Sequence, residues 1–340
     1  MGGSKNKNNK KNKKKSGLLL PYRSLKITDS SLRKKISYFT KKKTIILQKI
    51  SVSLNQQVDE GNYIDIIKRK NDIWDVYESI KEDTIRSIKL NQSSRDLIII
   101  NENLSNELDL IELLAKIDGE ILKRGGLKTY QIASTLGQAR GGDSSKKLIE
   151  WLNFLKCINT CDCTALEIGC LNSKNLISTS KIFKSVTRID LRSQEPGLIL
   201  EQNFMERPLP ISNLEKFDLI SCSLVLNFVP TPIERGDMLK KITKFLKKPI
   251  KNNNNMTPLL FLVLPLPCVK NSRYLNNQLL DKIMESIGFT KIKYYEAKKV
   301  AYWLWLWKGE ESIQKGKTFN KKEISTSGSA NKNNFCIVMK

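Results

Sequence analysis

Two positions about twenty residues apart have the chemistry to hold an adenosine. Gly169 closes the apolar run ALEIG, and Asp190 closes the run VTRID. A glycine at a strand end lets backbone approach a ligand, and an acid at the next strand end can accept hydrogen bonds from both ribose hydroxyls. In an open parallel sheet, ligands bind beyond the carboxyl ends of the strands, where the strand order reverses. The turn GCLNSKN lacks the three glycines of a dinucleotide fingerprint. That disfavours NAD and leaves the S-adenosylmethionine pocket of a class I methyltransferase. A strand-end glycine and a strand-end acid also occur by chance in α/β proteins, so the pair needs support from the rest of the chain.

Further candidates lie along the chain. In EQNFMERPLP, Asn203 can reach an adenine edge and Phe204 can cover its face, although Phe204 reads equally well as ordinary core. In FDLISCSLVLNFVP, the small polar residues Ser221 and Ser223 leave room for a sulfonium and its target. Asn227-Phe228-Val229-Pro230 superficially resembles the N-P-P-[FY] element with which amino-methylating enzymes hold an exocyclic amine and stack a base. It lacks the first proline, and helix packing is the simpler account. After PLPCVK, the residues Asn271, Ser272, Arg273 and Tyr274 present donors, a cation and a ring suited to an unpaired base and its phosphate; they could equally begin a helix. Ser144, Ser145 and Lys146 open a helix N-capped by Asp143, which suits a carboxylate or phosphate as well as plain capping.

The elements that must position these residues alternate from Thr164 onward. Strands are expected at 164–169, 186–191, 198–202, 217–222 and 259–265, and helices near 174–184, 232–247 and 274–287. That alternation predicts an α/β fold with a doubly wound, mostly parallel sheet. KIKYYEA, AYWLWLW and FCIVM compete for an edge hairpin. A short helix is expected over Tyr130–Leu136, closed near Gly137. The helix after Asp143 should bury Leu148, Trp151, Leu152 and Leu155. Residues 18–125 read as a helical extension. Ile66, Ile67, Ile73, Trp74, Tyr77, Ile80 and Ile88 recur at helical spacing, as do Leu108, Ile111, Leu114, Ala115, Ile117 and Leu122. Residues 1–17 read as a disordered basic tail, 249–257 as an Asn-rich insertion, and 309–334 as a polar loop, leaving 126–340 as the catalytic domain.

The formal net charge is +25, and Ser4–Ser16 holds seven of the lysines. Such an excess favours a polyanionic partner, with RNA preferred because the excess continues through the folded region. A lysine cluster near a terminus also fits a nuclear or nucleolar address. The seven cysteines (157, 161, 163, 170, 222, 268 and 336) form no CxxC pair, and the chain has no histidine. Zinc and His-dependent triads are therefore disfavoured, and reduced buried thiols are expected. The longest apolar run, Leu259–Val269, is too short to span a bilayer. No feature demands more than a monomer.

The blocks YQIASTLGQARGGDSSKKLIEWL, LEIGCLNSKN, RIDLRSQEPGLILEQNFMERPLP, FDLISCSLVLNFVPTPIERGDML, LFLVLPLPCVKNSRY and YWLW resemble, over Thr129–Lys340, the fungal 25S ribosomal RNA adenine-N1-methyltransferases. That family also includes the metazoan S-adenosylmethionine sensor upstream of mTOR. The resemblance implies a nucleolar Rossmann-like enzyme that methylates N1 of one adenine in large-subunit RNA, free or within a pre-ribosome. It places Gly169 and Asp190 on the family's cofactor positions, and Asn203 where an acid is more usual. It assigns no catalytic residue; Ser223, Asn227, Asn271, Arg273 and Tyr274 are candidates near the target base, beside Gly169, Asp190, Asn203, Phe204 and Ser221 for the cofactor. The rival expectation is a non-catalytic S-adenosylmethionine sensor that binds a protein partner; it shares the pocket and does not require the lysine excess.

Overall fold

The computed structural model describes residues 30–87, 106–124, 126, 142–155, 162–193, 195–249, 258–324 and 332–340. The basic tail, the expected helix over Tyr130–Leu136, Cys157, Cys161 and the Asn-rich run lie outside the described residues.

Seven runs form one sheet: β1 (Thr164–Ile168), β2 (Ser185–Asp190), β3 (Leu200–Glu201), β4 (Leu219–Ser223), β5 (Leu259–Pro265), β6 (Phe289–Glu296) and β7 (Val300–Trp307). Their spatial order is β3-β2-β1-β4-β5-β7-β6. Only β7 runs against its neighbours, and every other paired strand is parallel. β1, β4 and β5 are buried almost throughout, as strands covered on both faces must be. On one face Leu166, Ile168, Ile220, Cys222, Leu260 and Leu262 pack beneath α7 (Pro232–Phe245) and α9 (Asn277–Ser286). On the other, Ala165, Leu219, Phe261 and Val263 pack beneath α5 (Ser145–Phe154) and α6 (Leu176–Thr179).

The strand expectations hold to within two residues except for β3, which shrinks to two. The helix expected over 174–184 is a four-residue turn, because Lys181 adopts φ +61° and the left-handed backbone cannot continue a right-handed helix. The last helix begins at Asn277, where Asn276 caps it by accepting from Leu279 N at 2.8 Å. KIKYYEA and AYWLWLW supply the hairpin. FCIVM joins no strand of the sheet; Phe335–Met339 lies buried against α7, with Val338 N donating to Pro232 O at 2.8 Å. Gly236 of α7 makes this approach possible, since a Cβ there would stand 1.9 Å from Val338 O.

The helices before the sheet have a core of their own. They are α1 (Ser30–Leu54), α2 (Tyr63–Lys68), α3 (Asn71–Ser87) and α4 (Glu107–Lys123). Phe39, Ile46, Ile50, Tyr77, Leu110, Leu114 and Ile117 meet there. Leu108 and Leu122, expected inside, are exposed. At the centre Asp118 accepts from Tyr63 Oη at 2.9 Å and pairs with Lys43 Nζ at 2.7 Å, so the buried charge is fully partnered.

Candidate active site

The strand order reverses between β1 and β4, so the crevice at their carboxyl ends is the expected ligand position. Gly169 stands there with φ +75°, a backbone conformation that L side chains rarely adopt. Gly169 N and Cys170 N both donate to Ile189 O, at 2.8 and 3.0 Å, which ties the turn to β2. A Cβ on Gly169 would meet Val225 Cγ2 at 2.3 Å, so the glycine lets the Val225 side chain close against the turn.

Asp190 ends β2 half-buried. Its Oδ1 accepts from Arg192 N at 2.9 Å, and among the described residues its other oxygen takes no hydrogen bond. Burial pushes its carboxyl up to about 6 against the pull of the Arg192 N–H, with Glu201 adding to the rise. A carboxylate with spare acceptor capacity at this place suits a diol.

Glu167, which the sequence reading did not single out, is the second acid. It lies in β1 beside Ser221 of β4, both buried on the α5/α6 face. Asn175 Nδ2 donates to its Oε1 at 2.7 Å, while Oε2 is buried without a hydrogen-bond partner. Burial raises its carboxyl to about 7, with the Asn175 N–H and the Cys170 thiol pulling it back. The available signal was a charge inside an otherwise apolar parallel strand, a costly placement unless the charge is used.

The start of α5 closes this side. Asp143 accepts from Ser145 N at 2.9 Å and from Leu176 N at 2.8 Å, and Ser145 Oγ accepts from Ile177 N at 2.9 Å. The N-cap is Ser144, one residue later than expected, and Asp143 just before it accepts from the first helical N–H of α5 and from the start of α6. Ser144 Oγ lies 2.7 Å from Ser223 Oγ at the end of β4. The expected anion site at Ser144–Lys146 is thus a polar weld between α5, α6 and β4.

Asn203 is engaged in its own turn, its Oδ1 accepting from Met205 N at 3.0 Å and its Nδ2 donating to Glu206 at 2.8 Å. Phe204 does not cover the opening. It is buried in the core, its ring 5.3 Å from that of Phe245 of α7, because an aromatic here fills the space between β3 and that helix. Ser221 sits inside the sheet floor rather than at the opening.

After β4 the chain turns sharply. Leu224 takes φ +57°, a strained conformation for a branched residue and one that clusters at functional sites. Phe228 N closes the turn onto Val225 O at 2.7 Å. Asn227 is buried, and among the described residues its Oδ1 has no hydrogen-bond partner. Arg235 braces the next stretch of chain, donating to Val229 O, Pro230 O and Cys336 O at 2.8–3.0 Å. Residues 271–274 do not open a helix. They are held by the chain's last residues: Ser272 Oγ donates to Phe335 O at 2.6 Å, Asn333 N donates to Asn271 O at 2.8 Å, and Lys321 Nζ stands 4.8 Å from the Tyr274 ring. Arg273 Nε is buried without a partner. The structure therefore brings Gly169, Asp190, Ser223 and Asn227 to the carboxyl edge, sets Glu167 and Ser221 side by side in the sheet just behind it, and takes Phe204 into the core. A cleft of about 350 Å³ at the opposite edge, between Thr164, Ser185 and Phe217, contains none of them.

Glu167 also sets a pH dependence. Its carboxyl holds a proton more tightly in the folded protein than in the unfolded chain, where it titrates at about 4.3. Stability from this source is fully present below about pH 4 and is lost as pH rises toward 7. Glu167→Gln keeps the shape and removes the charge. It is expected to raise unfolding free energy by about 1–3 kcal/mol at pH 8, and by much less at pH 5, in urea denaturation without cofactor. An equal change at both pH values would contradict this assignment.

The sheet order with its single antiparallel strand, and a glycine turn after β1 with an acid at the end of the adjoining β2, define a class I Rossmann-like methyltransferase fold. Among the described residues no helix is long and apolar enough to cross a membrane, and no group of His, Cys, Asp or Glu gathers as a metal site. The family described as 25S rRNA (adenine(2142)-N(1))-methyltransferase, Bmt2, matches residues 115–337, and the chain belongs to that family. It is 43% identical over 216 residues to the 25S rRNA (adenine(2142)-N(1))-methyltransferase of Saccharomyces cerevisiae, covering 61% of this chain and 60% of that protein. It thus spans less than two thirds of that relative. It is 42% identical over 234 residues to the 25S rRNA adenine-N(1) methyltransferase of Schizosaccharomyces pombe, covering 67% of this chain and 82% of that protein. Among solved structures, the amino pentose methyltransferase CalS10 of Micromonospora echinaspora superposes at a TM-score of 0.36 with 11% identity, covering 51% of this chain and 96% of that one.

Proposed function

We propose that this chain transfers a methyl group from S-adenosylmethionine to N1 of an adenine in large-subunit (25S) ribosomal RNA. The observation that carries the reading is Gly169 at the reversal point of the sheet with Asp190 at the end of the adjoining strand, in a chain of this family. The residues fit the cofactor. Gly169 gives the turn a backbone at φ +75° that brings its peptide to the strand edge, Asp190 offers acceptors to a ribose diol, and the unpartnered Glu167 Oε2 offers one to the ammonium of the methionine part. Bound there, S-adenosylmethionine supplies an electrophilic methyl on a sulfonium.

Adenine N1 carries an in-plane lone pair and no proton near neutral pH, so no residue has to remove one. A chain without histidine faces no obstacle in that chemistry. Its work is to position the base, exclude water and stabilise the positive charge that builds on the purine. Pairing would block N1, so the base must enter unpaired or flipped. Asn227, Asn271, Arg273 and Tyr274 are the proposed base and phosphate contacts. The formal charge of +25 supports an RNA or pre-ribosome substrate and, with it, a nucleolar place of action.

The test is direct. The purified chain, methyl-labelled S-adenosylmethionine and large-subunit RNA are incubated, and the digested nucleosides are separated. Label in 1-methyladenosine supports the proposal. Label in N6-methyladenosine alone, or tight cofactor binding with no transfer, would overturn it; the latter favours a sensor.

A further inference from the structure

Helix α1 lies in sequence before the segment that the family matches, yet it reaches the candidate active site. Lys41 Nζ donates to the backbone carbonyl of Asn227 and stands 5.4 Å from the centroid of the Phe228 ring. Two turns on, Gln48 Nε2 donates to Glu234 Oε1 at 2.8 Å. Glu234 is itself half of the capping box that starts α7, with Thr231 N donating to it at 3.0 Å. One face of α1 therefore grips the loop 225–234 at both ends. Arg235 holds the middle of that loop from the inside, through the carbonyls of Val229 and Pro230.

Within the gripped loop, Asn227 has its Oδ1 buried without a partner, and leaving a buried acceptor unpaired costs about 1–3 kcal/mol. An unpaired buried group calls for an explanation, and this one lies in a carboxyl-edge loop three residues after the strained Leu224. The chemistry of adenine supplies the donor, its exocyclic amine. As N1 gains a methyl, positive charge spreads over the N1–C6–N6 amidine, and the amine becomes a stronger donor. A carboxamide oxygen on that amine therefore binds the reacting base more tightly than the resting one, which is what lowers a barrier.

We propose that α1 completes the substrate side of the site. Lys41 is a positioning residue that fixes the Asn227–Phe228 peptide, so that Asn227 Oδ1 meets the exocyclic amine of the target adenine. The inference rests on the methyl-transfer function proposed for this chain. Burial, with Arg235 of α7 nearby, lowers the Lys41 ammonium to about 8, and Cys268 of α8 (Pro267–Lys270) pulls the other way. An ammonium kept in so unfavourable a place is consistent with a specific hydrogen-bonding task.

The experiment compares Lys41→Met, Lys41→Arg, Asn227→Ala and, as a control on the same helical unit, Lys68→Met in the full chain. Three readouts are taken: cofactor affinity by calorimetry, kcat and KM on RNA, and amide hydrogen exchange over residues 225–234. Lys41→Met is expected to leave cofactor affinity within about twofold, lower kcat by ~10-fold or more, and speed exchange in the loop. Lys41→Arg keeps a donor and should recover most of both. Asn227→Ala should lower kcat with little change in exchange, and Lys68→Met should change nothing. If Lys41→Met does not fold, Gln48→Ala reports the same grip through exchange at residues 231–234. Unchanged exchange and turnover in Lys41→Met, or unchanged turnover in Asn227→Ala, would overturn the proposal. Absence of methyl transfer by the unaltered chain would instead refute the methyl-transfer function, while the exchange arm would still report whether α1 holds the loop.

Discussion

Arginine in place of Gly169 is expected to abolish S-adenosylmethionine binding in calorimetry. Two separate costs combine. A side chain at φ +75° costs about 1–2 kcal/mol for a non-glycine residue. The first atom added would also stand 2.3 Å from Val225 Cγ2, and the rest of the arginine would occupy the space above the turn. The alanine variant separates these effects. Gly169→Ala adds a single methyl against Val225, so it should lose about 1–2 kcal/mol of stability to the backbone conformation and only part of its affinity. A graded loss from glycine to alanine to arginine is the expected series. Full binding by the arginine variant would remove Gly169 from the pocket.

The second large effect belongs to Asp190. Two hydrogen bonds from a ribose to a carboxylate contribute about 1.5–3 kcal/mol each, so Asp190→Ala is expected to weaken cofactor binding by ~100-fold or more. The raised carboxyl gives this prediction a pH signature. Burial holds Asp190 at about 6, so it is ionised at pH 7.5 and protonates as the solution is taken below 6. The unaltered chain should therefore lose affinity as pH falls through 6. Asp190→Asn, which has no charge to lose, should bind weakly with a flatter profile over that range. An unaltered chain with constant affinity from pH 5 to 8 would contradict the role.

How much of this was legible in the sequence depended on the range of the interactions. β1, β4 and β5 were readable because a parallel strand covered on both faces must be a continuous apolar run, and Gly169 and Asp190 were readable as the residues that end such runs. The four-residue α6 was not, since the turn at Lys181 overrides a sequence that scans as helix. Phe204 shows the limit of pattern: an aromatic after a strand can face a ligand or a helix, and only the packing of Phe245 decides it. Asn271–Tyr274 read as a helix start because its partner, the segment ending at Met339, is more than sixty residues away. The grip of Lys41 on Asn227 spans 186 residues and leaves no local trace. Glu167 was legible in principle, as a lone charge in TALEI, and its meaning comes from burial that only the folded chain reveals.

The measurement that bears most directly on the central claim is a map of 1-methyladenosine in large-subunit ribosomal RNA, read as primer-extension stops. It compares cells that carry the gene, cells that lack it, and cells that express only the Gly169→Arg chain. One stop at an adenine should be present in the first and missing from the other two. A stop that persists without the gene, or that the Gly169→Arg chain restores in full, would contradict the account.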